Sequence, residues 1–305
     1  MKVIVFGGAG FLGSHVADAL TEAGYETVIF DICQSGYLRE GQRMIIGDVL
    51  DRDAVSHATQ GCDIVYNFAG IADIDEASKR PVESVKYNIL GNTIILDVAR
   101  EIGVKRFVFA SSLYVYSKEG SFYRSTKQSC ELIIEDFQQT FGLPYTILRY
   151  GSLYGPRADS KNAIYGFIEQ ALSEGVIRRY GDGDELREYV HVLDAAKGSV
   201  DVLAPEYENQ HVIVTGYQQM RIKDVLLMIR EMMANKIKIE YLPANESFHY
   251  EITPYSFAPR LGRRLVGRSY VDLGQGILDM IYQIYSERSP IPSPDGLIIT
   301  TENNV

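Results

Sequence analysis

The stretch KVIVFGGAGFLGSH (Lys2–His15) decides the fold, because it joins an apolar run, a glycine-rich turn and the start of a helix. Its glycines, at GxxGxxG spacing, let backbone N–H groups approach a pyrophosphate, and the positive end of the following helix favours that charge. A glycine motif alone is a weak signal among 27 glycines, but the order strand, turn, helix makes it more specific. We predict a pyrophosphate-binding turn rather than a tight turn without a ligand, with contacts at Gly7, Gly10, Phe11, Leu12 and Gly13.

Beyond this stretch, apolar strands alternate with helices as far as Tyr150. The pattern predicts strands at Lys2–Phe6, Glu26–Phe30, Arg43–Gly47, Cys62–Gly70, Arg106–Ser112 and Tyr145–Tyr150. It predicts helices at Leu12–Ala23, Asp51–Gln60, Pro81–Ile102 and Arg124–Thr140. Strands of this kind form a parallel sheet covered on both faces, and right-handed crossovers make that sheet doubly wound. The predicted fold class is therefore α/β, a Rossmann-type doubly wound parallel sheet.

Asp31 ends the second predicted strand, about twenty residues beyond the glycines. A carboxylate at this position accepts hydrogen bonds from an adenosine ribose and repels a 2′-phosphate. Its neighbours Ile32, Cys33 and Gln34 offer no arginine that would reverse this preference, so NAD is favoured over NADP. Asp48 ends the third strand and either binds the adenine amino group, with Val49 beside the ring, or caps the next helix.

After Tyr150 glycine and proline become frequent, and a short strand at His211–Gly216 mixes with helices near Ile222–Asn235 and Asp272–Ser286. We predict an NAD-binding domain over residues 1–150, with parts of the later chain returning to it. Residues 151–288 are predicted to form mainly a smaller C-terminal α/β lobe that binds substrate at the carboxyl edge of the sheet. Residues 289–305 are predicted to be a loose tail.

Composition excludes several classes of protein. A net charge of −10 argues against nucleic acid or an anionic membrane as the main partner. A basic run at Ala258–Arg268 is interpreted as solvated surface, with binding of a phosphorylated ligand as the minor alternative.

The cysteines and histidines show no metal-type spacing. The three cysteines are scattered along the chain and are predicted to be reduced thiols, and with the five histidines they predict no metal site. The apolar run at the N-terminus is too short for a secretory signal, and no later apolar run is long enough to span a membrane. We therefore predict a soluble cytoplasmic protein.

The segment SSLYVYSKEGSFYRSTKQ (Ser111–Gln128) contains two Tyr–Lys pairs at a spacing of four, Tyr114 with Lys118 and Tyr123 with Lys127. A tyrosine has a pKa near 10, and a lysine one helical turn away can stabilise its phenolate near pH 7. With 21 tyrosines in the chain the spacing alone is a weak signal. Only Tyr123 directly precedes a predicted amphipathic helix, which favours Tyr123 and Lys127.

Further motifs follow in order along the chain. They are GDVLD (Gly47–Asp51), FAG (Phe68–Gly70), NILGNT (Asn88–Thr93), SSLYVY (Ser111–Tyr116), YRSTKQSCE (Tyr123–Glu131), LRYGSLYGPR (Leu148–Arg157) and YGDGDELREYVHVLDAA (Tyr180–Ala196). With the glycine turn and Asp31, this series resembles the extended short-chain dehydrogenase/reductase family, specifically its nucleotide-sugar epimerases and dehydratases. The resemblance covers roughly residues 1–285.

The resemblance implies roles for individual residues. It implies a catalytic set of Ser112, Tyr123 and Lys127, of which Tyr123 and Lys127 also contact the cofactor. It places Phe68, Ala69, Gly70 and Asn88 near the cofactor, and Ser112, Tyr114, Ser152 and Arg187 near the substrate. Glu131 and Asp194 match further family positions, and Tyr116 is then the non-catalytic tyrosine of SSLYVY.

The sequence also departs from the family pattern. Leu113 and Tyr114 stand where the family's 4,6-dehydratases carry Asp-Glu, and its decarboxylases use a glutamate at the Tyr114 position. Ser152 replaces an asparagine that contacts the diphosphate in relatives. Ser112 and Tyr123 are only eleven residues apart, less than half the usual family gap.

These features together imply an NAD-dependent nucleotide-sugar epimerase that acts at C4 by transient hydride transfer to tightly bound NAD and return. The alternatives are a nucleotide-sugar dehydratase or reductase of the same family and a non-catalytic dinucleotide-sensing regulator. The resemblance further implies a role in carbohydrate biosynthesis and a homodimer formed through the helices near Pro81–Ile102 and Arg124–Thr140.

Overall fold

The computed structural model describes residues 1–216 and 219–243, which fall within one compact unit, Met1–Ala258. The first part of the chain runs β1 (Lys2–Phe6), α1 (Phe11–Glu22), β2 (Glu26–Asp31), β3 (Gln42–Ile46), α2 (Arg52–Thr59), β4 (Ile64–Asn67), α3 (Ile74–Lys79), α4 (Pro81–Ser84), a π-helical turn (Val85–Leu90) and α5 (Gly91–Ile102). Then follow β5 (Arg106–Ser112), a 3₁₀ turn (Leu113–Tyr116), α6 (Ser121–Phe141) and β6 (Tyr145–Tyr150). The later elements are β7 (Ser152–Tyr154), α7 (Ala163–Glu174), β8 (Val176–Tyr180), β9 (Leu186–His191), α8 (Val192–Asp201), a 3₁₀ turn (Pro205–Tyr207), β10 (Gln210–Val214), β11 (Gln219–Arg221), α9 (Ile222–Met232) and β12 (Lys238–Leu242).

Seven of the described strands form one parallel sheet in the order β10-β6-β5-β4-β1-β2-β3. The chain winds outward in both directions from β1 and β4, so the carboxyl ends of these two strands lie at the switch point where such folds bind ligands. The predicted doubly wound α/β fold is confirmed. The strand predicted near His211 is β10, and it joins the edge of this large sheet beside β6.

Each face of the sheet buries its own apolar cluster, as continuous apolar strands require. One cluster centres on Phe6, Phe30 and Phe107 under α2, α5 and α6. The other includes Val16, Tyr66 and Leu148 under α1 and α8. The buried Tyr66 hydroxyl donates to the carbonyl of Ser199 at 2.6 Å, which ties α8 to the sheet.

Several element boundaries differ from the sequence prediction. The strand predicted at Cys62–Gly70 ends at Asn67, and Phe68–Gly70 instead form a loop at the switch point. The helix predicted at Pro81–Ile102 is helical throughout but contains the π-helical turn, and the short helix α3 precedes it. Helix α6 begins at Ser121, three residues earlier than predicted, so Tyr123 lies inside its first turn.

Two smaller sheets, β11-β9-β7 and β12-β8, lie in the later part of the chain. The proposed domain boundaries remain predictions. The helix predicted near Asp272–Ser286, the basic run Ala258–Arg268 and the tail 289–305 lie outside the described residues. Within residues 1–216 and 219–243, none of the helices has the length and apolar character that a membrane crossing requires.

Candidate active site

The glycine turn brings the chain of β1 into close contact with the loop after β4. Gly7 has φ +74°, and a Cβ there would lie 2.6 Å from the backbone nitrogen of Ala69. A Cβ on Gly13 would lie 2.2 Å from the carbonyl oxygen of Gly7. Only glycine satisfies both contacts, so α1 can start directly above the turn.

Helix α1 begins at Phe11 with Gly10 as its N-cap residue, and it has neither a side-chain cap hydrogen bond nor an acidic residue in its first turn. Its first N–H groups are therefore free of a capping side chain, and the helix dipole adds positive potential there. This donor set fits the negatively charged pyrophosphate of a dinucleotide.

Two adjoining cavities, of about 370 and 290 Å³, lie along the carboxyl edge of the sheet at this turn. Both are lined by Gly7, Gly10, Phe68 and Gly70, so we treat them as two halves of one edge groove. The first half is lined by Asp31, Asp48, Val49 and Ala69, and the second by Phe11, Leu12, Gly13, Ser112, Tyr123 and Lys127. The groove thus brings together most of the residues that the sequence assigned to cofactor and catalysis.

Asp31 anchors the turn while facing the first half of the groove. Its Oδ2 accepts a hydrogen bond from the Ala9 N–H at 3.0 Å, and its Oδ1 accepts from the Cys33 N–H at 3.2 Å. Two carboxylate oxygens offer about four lone pairs, so capacity remains for two ribose hydroxyls. Asp31 is therefore suited both to shaping the turn and to binding a sugar.

Asp48 does not cap helix α2, so that interpretation of the sequence is wrong. The cap is Asp51, whose Oδ1 accepts from the N–H groups of Asp53 and Ala54 at 3.1 and 3.0 Å. Asp48 Oδ1 accepts from the Leu50 N–H at 2.9 Å, and Asp48 and Val49 both line the first half of the groove. This position fits the alternative role beside an adenine.

Ser112, Tyr123 and Lys127 meet in the second half of the groove, although they come from two elements. Ser112 ends β5 and its Oγ accepts from the Tyr114 N–H at 3.3 Å. Tyr123 and Lys127 lie one turn apart on α6, and both are buried. The arrangement supplies a hydroxyl, a phenol and an amine to one small cavity.

Lys127 has its amine held close to the tyrosine. Nζ donates to the carbonyl of Ala110 at 2.7 Å and lies 5.8 Å from the centroid of the Tyr123 ring. Burial lowers the pKa of Lys127, because desolvation disfavours the ammonium, while the negative charge of Glu131 acts in the opposite direction. The amine of Lys127, with its lowered pKa, therefore lies one helical turn from the phenol of Tyr123.

The competing pair, Tyr114 with Lys118, has no comparable arrangement. Tyr114 lies in the 3₁₀ turn that ends at Tyr116, so Lys118 follows that turn and does not share a helix with it. The Tyr114 ring instead packs edge-on against the Tyr123 ring, with centroids 6.1 Å apart and planes at 77°. Tyr114 also contacts a small apolar cluster that includes Ile74 and Ala77, and it does not line the described groove.

Asn88 lies behind the groove wall. Its Oδ1 accepts from the Ile71 N–H at 2.7 Å, and its Nδ2 donates to the Ile71 carbonyl at 3.1 Å and to Thr126 Oγ1 at 2.9 Å. Both amide protons are used, so Asn88 fixes the loop after β4 to helix α6. Asn88 does not line the groove but contacts Gly70 and Ile71, which do. Any effect of Asn88 on a cofactor would therefore act through these two residues.

Ser152 and Arg187 lie on β7 and β9, where Ser152 pairs in register with Tyr189. Arg187 is buried, and its Nη1 donates to the carbonyl of Leu186 at 3.1 Å. Neither residue lines the edge groove, whereas Gly151 and Leu153 do. Side chains alternate between the two faces of an extended chain, so residues 151 and 153 face opposite to residue 152, and this alternation could have indicated the difference.

Tyr150 also lines the groove and was not singled out from the sequence.

Residues Pro156–Lys161 connect α1 to α3, and we call them the strap. At one end His15 Nε2 hydrogen-bonds the Pro156 carbonyl at 2.9 Å, and Arg157 Nη2 lies 2.6 Å from Asp18 Oδ2, both on α1. At the other end Lys161 Nζ lies 2.8 Å from Glu76 Oε2 on α3. Glu76 lines the first half of the groove, so the strap joins α1 to the wall that α3 forms.

The described residues contain no group of three or more His, Cys, Asp or Glu side chains that could hold a metal ion.

Known proteins are similar to this chain in sequence and in fold. Residues 3–216 match the profile described as the NAD dependent epimerase/dehydratase family. The chain is 30% identical over 234 residues to the low-salt glycan biosynthesis protein Agl12 of Haloferax volcanii, covering 68% of this chain and 74% of that protein. It is 29% identical over 279 residues to the UDP-glucose 4-epimerase of Corynebacterium glutamicum, covering 80% and 84%. The crystal structure of the Thermus thermophilus UDP-glucose 4-epimerase in complex with NAD superposes with a TM-score of 0.76 at 27% identity, covering 84% and 90%.

Proposed function

The chain belongs to the NAD dependent epimerase/dehydratase family, and from that membership we propose that it is a nucleotide-sugar 4-epimerase with tightly bound NAD. The observation that carries this proposal is the meeting of Ser112, Tyr123 and Lys127 in one cavity beside the glycine turn. The proposal is supported by relatives named as UDP-glucose 4-epimerases, which favour a uridine diphosphate sugar as substrate.

NAD is the cofactor of this family. In our proposal the first N–H groups of α1 and the turn at Gly7, Gly10, Phe11, Leu12 and Gly13 hold its pyrophosphate. Asp31 binds the adenosine ribose, Asp48 and Val49 border the adenine, and Phe68, Ala69 and Gly70 form the opposite wall. When bound, NAD supplies an acceptor and donor of hydride for the sugar carbon.

Side chains of the protein transfer the proton of the sugar hydroxyl. Tyr123 removes the proton of the C4 hydroxyl as the carbon is oxidised, and it returns a proton when the carbon is reduced on its other face. Lys127 stabilises the phenolate from one helical turn away and also contacts the nicotinamide ribose. Ser112 hydrogen-bonds the same sugar oxygen, and Tyr114, Ser152 and Arg187 remain our proposed substrate contacts.

The neighbours of Ser112 favour epimerisation over loss of water. Elimination needs an acid and a base beside the sugar, and Leu113 and Tyr114 provide neither a carboxyl nor an imidazole at the two positions after Ser112. In the structure Tyr114 packs against Tyr123 with its ring edge. We therefore expect the keto sugar to be reduced again without elimination.

The test is an NMR assay in D₂O with a panel of UDP-, GDP-, CDP- and dTDP-sugars. We expect inversion at C4 without deuterium at the inverted carbon, because the hydride returns from the cofactor. Deuterium at that carbon would indicate enolisation and contradict the 4-epimerase, and loss of water would indicate a dehydratase.

A tyrosine variant tests the site itself. Tyr123→Phe removes the proton acceptor, and we expect turnover to fall on the order of 10²–10⁴-fold. Tyr241→Phe is the matched control, because Tyr241 is 47% exposed on β12. Equal activity of both variants would reject Tyr123 as the base.

We further propose a homodimer, a cytoplasmic location and a role in carbohydrate biosynthesis. The dimer is supported by apolar side chains exposed on the proposed interface helices, among them Val82, Val85, Leu90 and Leu132.

A further inference from the structure

A largely buried ion pair lies behind the catalytic cavity. Glu131 on α6 and Arg149 on β6 form two parallel hydrogen bonds, from Nε to Oε1 at 3.0 Å and from Nη2 to Oε2 at 2.6 Å. Their side chains are only 8% and 15% exposed. Removing two charged groups from water costs free energy of desolvation. Such a pair therefore suggests a role beyond stabilising the fold.

The pair is bonded to the strand that carries the catalytic serine. Ser111 Oγ donates to Glu131 Oε1 at 2.5 Å, and Ser111 lies in register with Arg149 across β5 and β6. Lys127, one turn before Glu131, donates to the carbonyl of Ala110 at 2.7 Å. Two successive turns of α6 therefore hold two successive residues of β5, immediately before Ser112.

The same pair also fixes the turn that follows Ser112. Arg149 Nη1 donates to the hydroxyl of Tyr116, and the guanidinium lies 4.7 Å from the centroid of that ring. Gln128 Nε2, on α6, donates to the carbonyl of Val115 at 2.7 Å. The segment from Ser111 to Tyr116 is thus held at both ends by α6 and its arginine partner.

A histidine extends the network to the edge of the sheet. Arg149 Nη2 donates to His211 Nδ1 at 2.7 Å, so His211 donates through Nε2 to Glu135 Oε1 at 2.8 Å. Four of the five N–H groups of Arg149 are then used. A lysine could not replace this planar set of donors.

We propose that the Glu131–Arg149 pair is a positioning device for the reaction, which fixes the serine strand to the tyrosine–lysine helix. Ser112 lies on β5 whereas Tyr123 and Lys127 lie on α6, so their mutual geometry depends on how these two elements dock. The inference rests on the proposed function, because it assigns the pair to the alignment of that catalytic set. Neither residue touches the groove in the described structure, so both act through their neighbours.

Three variants separate positioning from mere support of the fold. Arg149→Met leaves the Glu131 carboxylate buried without its partner, so we expect a lower Tm and a fall in kcat on the order of 10²-fold with little change in KM. The double variant Glu131→Leu, Arg149→Met removes both charges, and we expect Tm to recover while kcat stays low, because the bond from Ser111 to Glu131 is then lost together with the bonds of Arg149. The control is Arg106→Met, which removes an arginine that is 8% exposed, against 15% for Arg149, at the other end of β5, where it bonds Thr146 and Glu208. We expect this variant to lower Tm and to leave kcat unchanged.

The outcomes are distinguishable from failure of the proposed function. Wild-type turnover tests that function alone, and NADH titration by fluorescence tests the pair even if no sugar is turned over. We expect Arg149→Met and the double variant to weaken NADH binding about tenfold through Lys127, and Arg106→Met to leave it unchanged. Recovery of kcat, or of NADH affinity, together with Tm in the double variant would overturn the proposal. An equal loss in Arg106→Met would do the same.

Discussion

At the scale of single residues, Asp31 combines two tasks in one carboxylate. It accepts hydrogen bonds from the N–H groups of Ala9 and Cys33, and it lines the half of the groove that we assign to adenosine. The first task shapes the glycine turn, and the second, in our proposal, selects NAD over NADP. A residue chosen only to shape the turn would not need a negative charge.

This view predicts how a neutral residue at position 31 changes cofactor preference. Asp31→Asn removes the charge and one acceptor, so NADH affinity should fall roughly 10- to 150-fold, because a hydrogen bond to a charged group contributes about 1.5–3 kcal/mol. NADPH affinity should fall less, because the repulsion of its 2′-phosphate is also removed. Fluorescence titration with both nucleotides measures the ratio.

Asp48→Asn serves as the matched comparison, because Asp48 lines the same half of the groove but faces the adenine that both nucleotides share. It should weaken both to the same degree. If Asp31→Asn also changed both equally, Asp31 would not determine the preference.

The family resemblance indicated the proposed catalytic set but not the residues that support it. Ser112, Tyr123 and Lys127 follow from motif order and from the helix that begins near them. Glu131 and Arg149 are separated by 18 positions, and nothing in an apolar strand such as YTILRY shows which partner its arginine will meet. The partner becomes visible only when β5, β6 and α6 are placed side by side.

At the scale of elements, long buried strands were predictable and short amphipathic ones were not. The continuous apolar runs of β1 and β5 match the prediction exactly in their bounds, because burial on both faces leaves few alternatives. Strands β8 (VIRRY) and β9 (LREYVH) mix charged and apolar residues, so their pattern did not stand out. Helix α3 has only six residues, which is too short for a helical period to be visible.

The strap is the element for which we predict a measurable effect of pH and salt. Lys161 lowers the pKa of Glu76 below the 4.5 of an ordinary glutamate by hydrogen bonding to its carboxylate. A group whose pKa is depressed in the folded state keeps its ion pair above its ordinary pKa and loses it as pH falls through the depressed value. Retention of bound NAD⁺ should therefore be constant near neutral pH and fall only below pH 4.5.

Charge exchange at the strap tests this prediction directly. Because Lys161 is 62% exposed, Glu76→Lys or Lys161→Glu should speed NAD⁺ release only a few-fold, less so in high salt. The double exchange should restore the rate in part, because Arg80 also bonds Glu76 at 2.8 Å and would repel a lysine at position 76. The matched exchange at Glu174 and Arg178, an exposed pair between α7 and β8, should have no effect on release. If the double exchange released NAD⁺ as fast as the faster single exchange, the strap would not be held by this pair.

At the scale of the whole molecule, exposed apolar side chains on the helices predict the assembly. Leu132 on α6 is 62% exposed, and Leu172 on α7 is 71% exposed, but only the first lies on the proposed dimer helices. Leu132→Glu should convert the protein to a monomer in light scattering after size exclusion, because burial of a charge at an interface is costly. Leu172→Glu should leave the mass unchanged. A monomeric wild type, or a dimer that survives Leu132→Glu, would contradict this arrangement.

The π-helical turn at Val85–Leu90 has a consequence for how this protein tolerates insertions and deletions. A π turn accommodates one extra residue within an α-helix, and each α-helical residue rotates the chain by about 100°. Removing one residue from this turn would restore a regular α-helix. It would also rotate α4, which precedes the turn, about the helix axis relative to α5. Asn88 would then no longer face Ile71, while Val82 and Val85 would turn away from the surface they now share. A single-residue deletion here should therefore disturb the groove wall and the proposed dimer face together.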